Sequence, residues 1–293
     1  MGIPYRKVLE DMSYKIIVDS SCELPAELME DPHFCTIPFG LEVGGVDFVD
    51  DDHLDVKELL DAIAACPTCP KSSCPSPQLF LEKIEDNSVL NADRVYIITI
   101  SEHLSGCYNS AVLAKNMYEE NHQDKQIAVI DSLSASCGET QVAMLAHELE
   151  QEGGLFEDNV AKLENFRDNM ETTFVLDNIE TLRKNGRLSR VKALVATSLN
   201  IKPVLGADKG TIVQISQGIG MKKALNKLVD VIVKNGGELS KKRIIITHCN
   251  NLMRAEEVKK LLQAKVHAPN ILVMATRGLS SLYANDGGII VTY

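Results

Sequence analysis

The sequence predicts an α/β protein of two domains, an N-terminal parallel sheet flanked by helices and a C-terminal α/β domain with a mixed sheet. Short apolar, β-branched segments alternate with amphipathic ones, which is typical of parallel sheets covered by helices. The chain of 293 residues, 45% hydrophobic and 24% charged, is globular in composition and too long for one ordinary core. We expect the domains at residues 14–170 and 171–293, although no Pro- or Ser-rich linker marks their boundary.

The predicted N-terminal elements are short strands separated by amphipathic helices. The strands are rich in Ile and Val, and the helices carry apolar residues three and four positions apart. The predicted strands are 15–19, 94–101 and 126–131, and the helices are 54–65, 78–84, 110–118, 141–151 and 154–167. Because right-handed crossovers align parallel strands, the carboxyl ends of these strands should share one edge of the sheet.

The second half of the chain continues the alternation of strands and helices. Residues 174–183 lead into a polar turn at 184–187, and an apolar stretch follows at 191–198. The predicted strands are 211–214, 242–247, 270–275 and 287–293, and the helices are 222–233 and 255–265. The sequence shows no internal repeat and no low-complexity segment.

Hydroxyl-rich turns follow each of the three N-terminal strands. They are 19–21 (DSS), 101–108 (SEHLSGCY) and 131–138 (DSLSASCG). These turns should meet at the shared sheet edge, and the helix that follows 101–108 would direct free backbone amides at the same place. Such an arrangement suits an anion. The alternative is ordinary capping of that helix by Ser101 or Ser105, which does not exclude contact with a ligand.

Net charge and hydropathy exclude some classes of protein. The formal net charge of −11 argues against binding to a nucleic-acid backbone, which requires clustered Lys and Arg. No apolar run approaches the length of a membrane span, and no signal-peptide pattern opens the sequence. We therefore expect a soluble, cytoplasmic protein.

Three of the eight cysteines cluster within nine residues, as Cys66, Cys69 and Cys74. A CxxC pair can be redox-active or can ligate zinc. No second pair of similar spacing follows, and the surrounding prolines indicate a loop. A structural or incidental role and a metal or redox role both remain open, whereas the other cysteines are typical of small buried hydrophobic residues.

The usual catalytic motifs are missing from the sequence. A hydrolase serine would need a G-x-S-x-G elbow, and the Leu104-Ser105-Gly106 segment lacks the first glycine. No dinucleotide fingerprint, phosphate-binding loop or paired helical histidines occur, and His147 is a lone histidine on a predicted helix. A serine-dependent hydrolase or transferase that uses the polar edge stays as an alternative.

Several short motifs, read in order, resemble the DegV family of bacterial fatty-acid-binding proteins. They are 17–25 (IVDSSCELP), 71–77 (KSSCPSP), 100–108 (ISEHLSGCY), 182–189 (LRKNGRLS) and 199–203 (LNIKP). The resemblance extends from residue 14 to the end of the sequence. It implies a non-enzymatic protein without a cofactor, which encloses one long-chain fatty acid between its two domains.

The resemblance also implies roles for individual residues. Ser72 and Ser105 would bind the fatty-acid carboxylate, and Arg187 is a candidate for coupling to a kinase. The supporting polar rim would comprise Ser73, Ser101, Gly106, Ser20 and Ser132. Some family members present the acid to a separate kinase subunit, so a fatty acid kinase catalytic subunit is a candidate partner, and transient membrane contact is another expectation.

One segment departs from the family pattern. Family members usually carry a histidine close to the carboxylate, and Ala284 stands at that position in 278–288 (GLSSLYANDGG). This loss of a donor bears on the binding of the head group and on the coupling to a kinase. Tyr283 and Asn285 are candidate replacements, while His248 matches a different family histidine by position.

Overall fold

The computed structural model describes residues 13–87, 91–191 and 200–293, and in these ranges the chain forms thirteen strands and ten α-helices. The strands are β1 Tyr14–Asp19, β2 Phe34–Ile37, β3 Gly40–Val43, β4 Val46–Val49, β5 Lys71–Ser73, β6 Arg94–Thr99, β7 Gln126–Asp131, β8 Thr172–Val175, β9 Ile201–Asp208, β10 Thr211–Ile219, β11 Ile244–His248, β12 Ile271–Ala275 and β13 Ile289–Thr292. The helices are α1 Ala26–Met29, α2 Val56–Ala65, α3 Pro77–Glu85, α4 Cys107–Glu119, α5 Cys137–Glu152, α6 Phe156–Asn169, α7 Glu180–Lys184, α8 Met221–Asn235, α9 Leu252–Gln263 and α10 Gly278–Ala284. Across the same ranges, no helix is both long and apolar enough to cross a membrane.

The first sheet has the order β2-β1-β6-β7, and all its neighbouring strands are parallel. Successive side chains of a strand point to opposite faces, so β1 contributes to two cores. Ile17 packs into a core with helices α3 and α4, and Ile16 and Val18 pack into another with α5 and α6. Both faces of the central strands are therefore covered by helices, which explains their continuous apolar sequences.

The second sheet has the order β10-β9-β8-β13-β11-β12 and is mixed. Only β11 and β12 pair in parallel, while the other neighbours pair antiparallel. Helices α8 and α9 cover one face, where Leu228 and Val258 are fully buried. The parallel first sheet and the mixed second sheet confirm the predicted fold class.

A small antiparallel sheet of order β4-β3-β5 stands beside the first sheet. We predicted that the cysteine-rich segment is entirely loop, but its end, Lys71–Ser73, forms β5 against β3. A strand edge offers unpaired N–H and C=O groups, and these order a short segment whose own composition favours a turn. Ser72 is consequently fixed opposite Leu41.

The remaining predicted elements shift by a few residues or extend. The strand predicted at 211–214 continues to residue 219 and pairs with the long β9, which the sequence did not reveal. Of the predicted apolar stretch at 191–198, residues 192–198 lie outside the described residues. The proposed division at 170/171 falls between α6 and β8 and stays a prediction about domains.

Candidate functional site

The carboxyl ends of β1, β6 and β7 lie side by side and bring their polar turns together. Asp19 ends β1, and its carboxylate accepts hydrogen bonds from the Ile100 amide at 2.8 Å and from the Ser21 amide at 2.9 Å. Burial raises the pKa of Asp19 to about 6, although these two amides lower it. The carboxylate thus joins two neighbouring turns and fixes the polar edge of the sheet.

A cavity lies between this edge and the second sheet, with an empty volume of about 850 Å³ including its open mouth. Most of its lining is apolar and comes from both sheets, as Ile100 and Leu104 after β6, Phe174 on β8 and Ile212 on β10 show. Small-molecule sites in proteins are concave and mostly apolar, with a few polar groups that orient the ligand. The cavity has the character of such a site.

Four polar side chains of the lining are Ser72, Ser105, Tyr283 and Arg187. The hydroxyl of Ser72 lies 2.9 Å from the hydroxyl of Tyr283, and the Arg187 guanidinium lies 5.7 Å from the centre of the Tyr283 ring. The Arg187 Nε donates to the Leu104 carbonyl at 3.1 Å, and its Nη1 donates to the Asn185 carbonyl at 2.6 Å. These bonds hold the guanidinium beside the tyrosine at the cavity wall.

Ser105 keeps a proton that it can donate. Its Oγ accepts a hydrogen bond from the Cys107 amide at 3.3 Å. Ser105 is not the N-cap residue of α4, because Gly106, which has no side chain, occupies that position. The positive end of the helix dipole of α4 lies next to Ser105. The Ser105 hydroxyl, which lines the cavity, therefore suits a negatively charged ligand.

The five predicted supporting residues do not line the cavity. Ser20, Ser101 and Ser132 are buried behind it, and Gly106 stands at the N-cap position before α4. The exposed Ser73 points its hydroxyl at the Gly40 carbonyl. These residues shape the turns from behind and do not contact the enclosed space.

Ser101 illustrates how this support works. Its hydroxyl donates to the Gly210 carbonyl at 2.9 Å and accepts from the His103 amide at 3.2 Å. Gly210 lies in the turn between β9 and β10, so the bond ties the second sheet to the edge of the first. Ser20 similarly accepts from the Phe39 amide at 3.0 Å.

Other hydroxyl residues that we did not predict line the cavity, namely Ser21, Ser134, Ser136, Thr172 and Ser280. Ser134 lies 2.7 Å from Thr172, and Ser136 lies 2.9 Å from Thr247 on β11, so most of these hydroxyls pair across the two sheets. The turn 131–138 was a visible signal for Ser134 and Ser136. Their pairing across the sheets could not be read from the sequence.

Two buried carboxyl groups lie behind this wall. Burial raises the pKa of Glu23 to about 7, while hydrogen bonds from the Ser280 and Ser136 hydroxyls lower it. Burial also raises the pKa of Glu139 well above its usual range, and the charges of Asp19 and Glu23 raise it further. A group whose charged form is disfavoured is held in its neutral form.

The segment that departs from the family pattern supplies Tyr283 to the site. Ala284 also lines the cavity and offers no donor, but the preceding Tyr283 places its hydroxyl against Ser72. Asn285 instead donates to the Tyr283 carbonyl at 3.2 Å and is not part of the lining. His248 accepts from the Asn251 amide at 3.2 Å through Nδ1, also away from the cavity. Of the two candidate replacements, only Tyr283 faces the cavity.

The cysteine cluster does not form a common ligand set. All eight cysteines lie within the described ranges and are free thiols. Cys66 contacts the Thr68 hydroxyl at 3.0 Å, Cys69 accepts from the Asn185 amide group at 3.4 Å, and Cys74 is exposed. Within those ranges, the three sulfur atoms do not all come within 4.8 Å of one another.

Among the described residues, the serine-dependent alternative finds no base for Ser105. Among the side-chain hydrogen bonds of the described residues, no histidine ring pairs with Ser105, and His103 bonds to Ser101 only through its backbone amide. A hydrolase serine requires a base within hydrogen-bond reach. The geometry favours binding over covalent chemistry.

Comparisons with known proteins agree with the fold and with the resemblance. A profile described as "Uncharacterised protein, DegV family" matches residues 13–290. A DegV family protein of Ruminococcus gnavus, refined with vaccenic acid, is 44% identical with a TM-score of 0.92, covering 97% of this chain and 100% of its own. The Fatty Acid Kinase (Fak) B3 protein of Streptococcus pneumoniae, loaded with linoleic acid, is 33% identical with a TM-score of 0.85, covering 96% of this chain and 99% of its own.

A curated relative gives the same result at the level of sequence. A DegV domain-containing protein of Streptococcus pneumoniae is 33% identical over 286 residues, which are 96% of this chain and 99% of that protein. The residues that the family profile matches, 13–290, include every residue that lines the cavity. The predicted resemblance is confirmed, and this chain belongs to the DegV family.

Proposed function

We propose that this protein binds one long-chain fatty acid, with the acyl tail in the cavity and the carboxylate at Ser72, Ser105 and Tyr283. The observation that carries the proposal is an apolar cavity whose wall bears paired hydroxyls beside a guanidinium. Two DegV structures similar to this chain hold vaccenic acid and linoleic acid, which supports the proposal.

The acyl tail and the carboxylate contribute differently to the free energy of binding. Burying about fifteen methylene groups contributes on the order of 12 kcal/mol before the cost of association is subtracted. An unpaired buried carboxylate would cost several kcal/mol, and each hydrogen bond to a charged acceptor returns about 1.5–3 kcal/mol. The Ser105 hydroxyl and the Ser72–Tyr283 pair, whose accepting hydroxyl keeps a free proton, would therefore offset the burial of the head group. The tail supplies affinity, and the head fixes orientation.

We further propose that the protein acts as the binding subunit of a fatty acid kinase and carries no catalytic centre of its own. The similar pneumococcal protein is named for such a kinase, and Arg187 lies beside the proposed head-group site. Its planar guanidinium suits both a carboxylate and the acyl phosphate that forms when a phosphoryl group is added to a carboxylate oxygen. A separate catalytic subunit would supply the nucleotide and the transfer chemistry, and no cofactor would be resident.

Binding is tested by titrating the delipidated protein with a fluorescent long-chain fatty acid. The chain has no Trp, so background emission is low. We expect Ser72→Ala and Ser105→Ala each to weaken binding about tenfold, because each loses one bond to a charged acceptor. Ser73→Ala is the matched control, because Ser73 is adjacent to Ser72 in the sequence but does not line the cavity.

Two outcomes would contradict the proposed function. If both variants bind with unchanged affinity, the carboxylate lies elsewhere. If a fluorophosphonate labels Ser105 covalently, the site is that of a serine hydrolase or transferase. An organic extract of the purified protein that contains one long-chain acid per chain would instead support the proposal directly.

A further inference from the structure

A second polar cluster lies at the other end of the first sheet. Asp31 and His33 lie in the loop before β2, and His147 projects from α5. Tyr14, the first residue of β1, stands between them, whereas the cavity borders the turn after the last residue of β1. A strand of six residues separates the two ends by about 20 Å. The cluster is thus independent of the proposed fatty-acid site.

Three metal-ligating side chains converge in this cluster. One carboxylate oxygen of Asp31 lies 2.7 Å from Nδ1 of His33, and the other lies 3.8 Å from Nε2 of His147. The ligand atoms of the three residues all lie within 4.8 Å of one another, and no other such group of three occurs in the described ranges. Ligands about 2.0–2.1 Å from a tetrahedral zinc ion stand about 3.3 Å apart, so small side-chain adjustments would suffice to enclose one.

Tyr14 fixes the orientation of both imidazole rings. Its ring stacks on His33 with the centroids 4.2 Å apart and the planes 15° apart, and its hydroxyl lies 2.9 Å from Nδ1 of His147. Metal-ligating histidines commonly use the second ring nitrogen in such a hydrogen bond, which orients the ligating nitrogen. Here that arrangement leaves Nε2 of His147 facing Asp31.

We propose that Asp31, His33 and His147 bind one divalent transition-metal ion of the zinc class. Two imidazoles and a carboxylate are a common donor set for zinc, with water or a fourth side chain completing the tetrahedron. The Gln151 amide lies 2.8 Å from Nε2 of His147, so it must rotate when the ion enters and can then offer its oxygen. The Asp31 and His33 side chains are 22% and 30% exposed, which gives the ion a path from solvent.

Titration of the tag-free, metal-free protein with Co²⁺ and Zn²⁺ tests this site. We expect one Co²⁺ per chain, with visible d–d bands of a nitrogen and oxygen site and no thiolate charge-transfer band in the near ultraviolet. Zn²⁺ should displace Co²⁺ and raise the melting temperature by several degrees, because the ion binds the native state. A thiolate charge-transfer band would assign the ion to cysteines and overturn the proposal.

Three variants separate the site from adventitious binding. His33→Gln and His147→Gln should each weaken Co²⁺ binding at least tenfold, whereas the exposed His267→Gln should leave it unchanged. His33 is partly exposed in a loop, so its variant should keep the circular dichroism spectrum of the parent even if the His147 variant does not. Unchanged Co²⁺ affinity in a folded His33→Gln protein would refute the site.

Discussion

Single residues decide how the cavity can bind an acid. Ser72 belongs to a three-residue strand and Tyr283 to a seven-residue helix, 211 positions apart, yet their hydroxyls lie 2.9 Å from each other. The Arg187 guanidinium lies over the Tyr283 ring, 5.7 Å from its centre. The resemblance led us to expect a histidine at the position of Ala284, and Tyr283, the preceding residue of the same helix, offers a hydroxyl at the cavity wall.

Replacing Tyr283 by phenylalanine tests whether the head group uses this hydroxyl. The ring and its contact with Arg187 remain, and only the hydroxyl is removed, so we expect long-chain fatty-acid affinity to fall about tenfold or more. Titration with the fluorescent acid measures the loss. Tyr108→Phe, a change of the same kind outside the cavity lining, should bind as the parent does. Equal affinities of the Tyr283 and Tyr108 variants would show that the head group does not use this hydroxyl.

At the level of elements, two tight hairpins have the same loop length but different surroundings. Lys209 and Gly210 join β9 to β10, and Gly44 and Gly45 join β3 to β4, all with positive φ. Two-residue loops of this kind require φ above zero, which glycine adopts most easily. A Cβ atom on Gly210 would lie 2.3 Å from the Ser101 hydroxyl, whereas one on Gly45 would meet nothing within 4 Å.

The matched pair Gly210→Ala and Gly45→Ala separates backbone strain from the docking of the hairpin. Strain alone should cost Gly45→Ala about 1–2 kcal/mol of unfolding free energy. Gly210→Ala should lose about 3 kcal/mol, because its methyl group also pushes the hairpin from the edge of the first sheet. Urea unfolding followed by circular dichroism measures both.

The same comparison extends to ligand binding. Because Ala207, Gly210 and Ile212 line the cavity, a displaced hairpin should weaken fatty-acid binding in the Gly210 variant and leave the Gly45 variant unaffected. Equal stability and equal affinity of the two variants would show that the contact between Ser101 and Gly210 does not hold the sheets together.

For the whole molecule, the sequence predicted the fold class, the shared edge of three strands and the candidate residues Ser72, Ser105 and Arg187 at the cavity. These follow from local periodicity and from ordered motifs. The sequence could not show that the Ser101 and Ser132 hydroxyls bond to backbone carbonyls and not to a ligand. A serine-rich turn has the same sequence in both cases. The pairing of Ser134 with Thr172 was equally hidden, since it depends on how two distant sheets pack.

Several buried carboxyl groups have raised pKa values. Burial raises the pKa of Asp19 to about 6 and of Glu23 to about 7, and it also raises the pKa values of Asp50 and Glu139. Such groups bind protons more tightly in the folded chain than in the unfolded chain. Between the unfolded and folded pKa values, their contribution to stability therefore decreases as the pH rises.

Glu23→Gln should reduce this dependence on pH. The amide keeps the shape of the side chain but cannot ionise. The variant therefore avoids the free-energy cost of ionising a buried carboxyl group, which grows in the parent from pH 4.5 to about 7. A shift of that size corresponds to on the order of 3 kcal/mol, so the parent should lose more unfolding free energy than the variant between pH 5 and pH 7.5. Urea unfolding at both pH values measures the difference, with the exposed Glu257→Gln as the control. If the Glu23 variant follows the same pH dependence as the parent, Glu23 is not the group that titrates in this range.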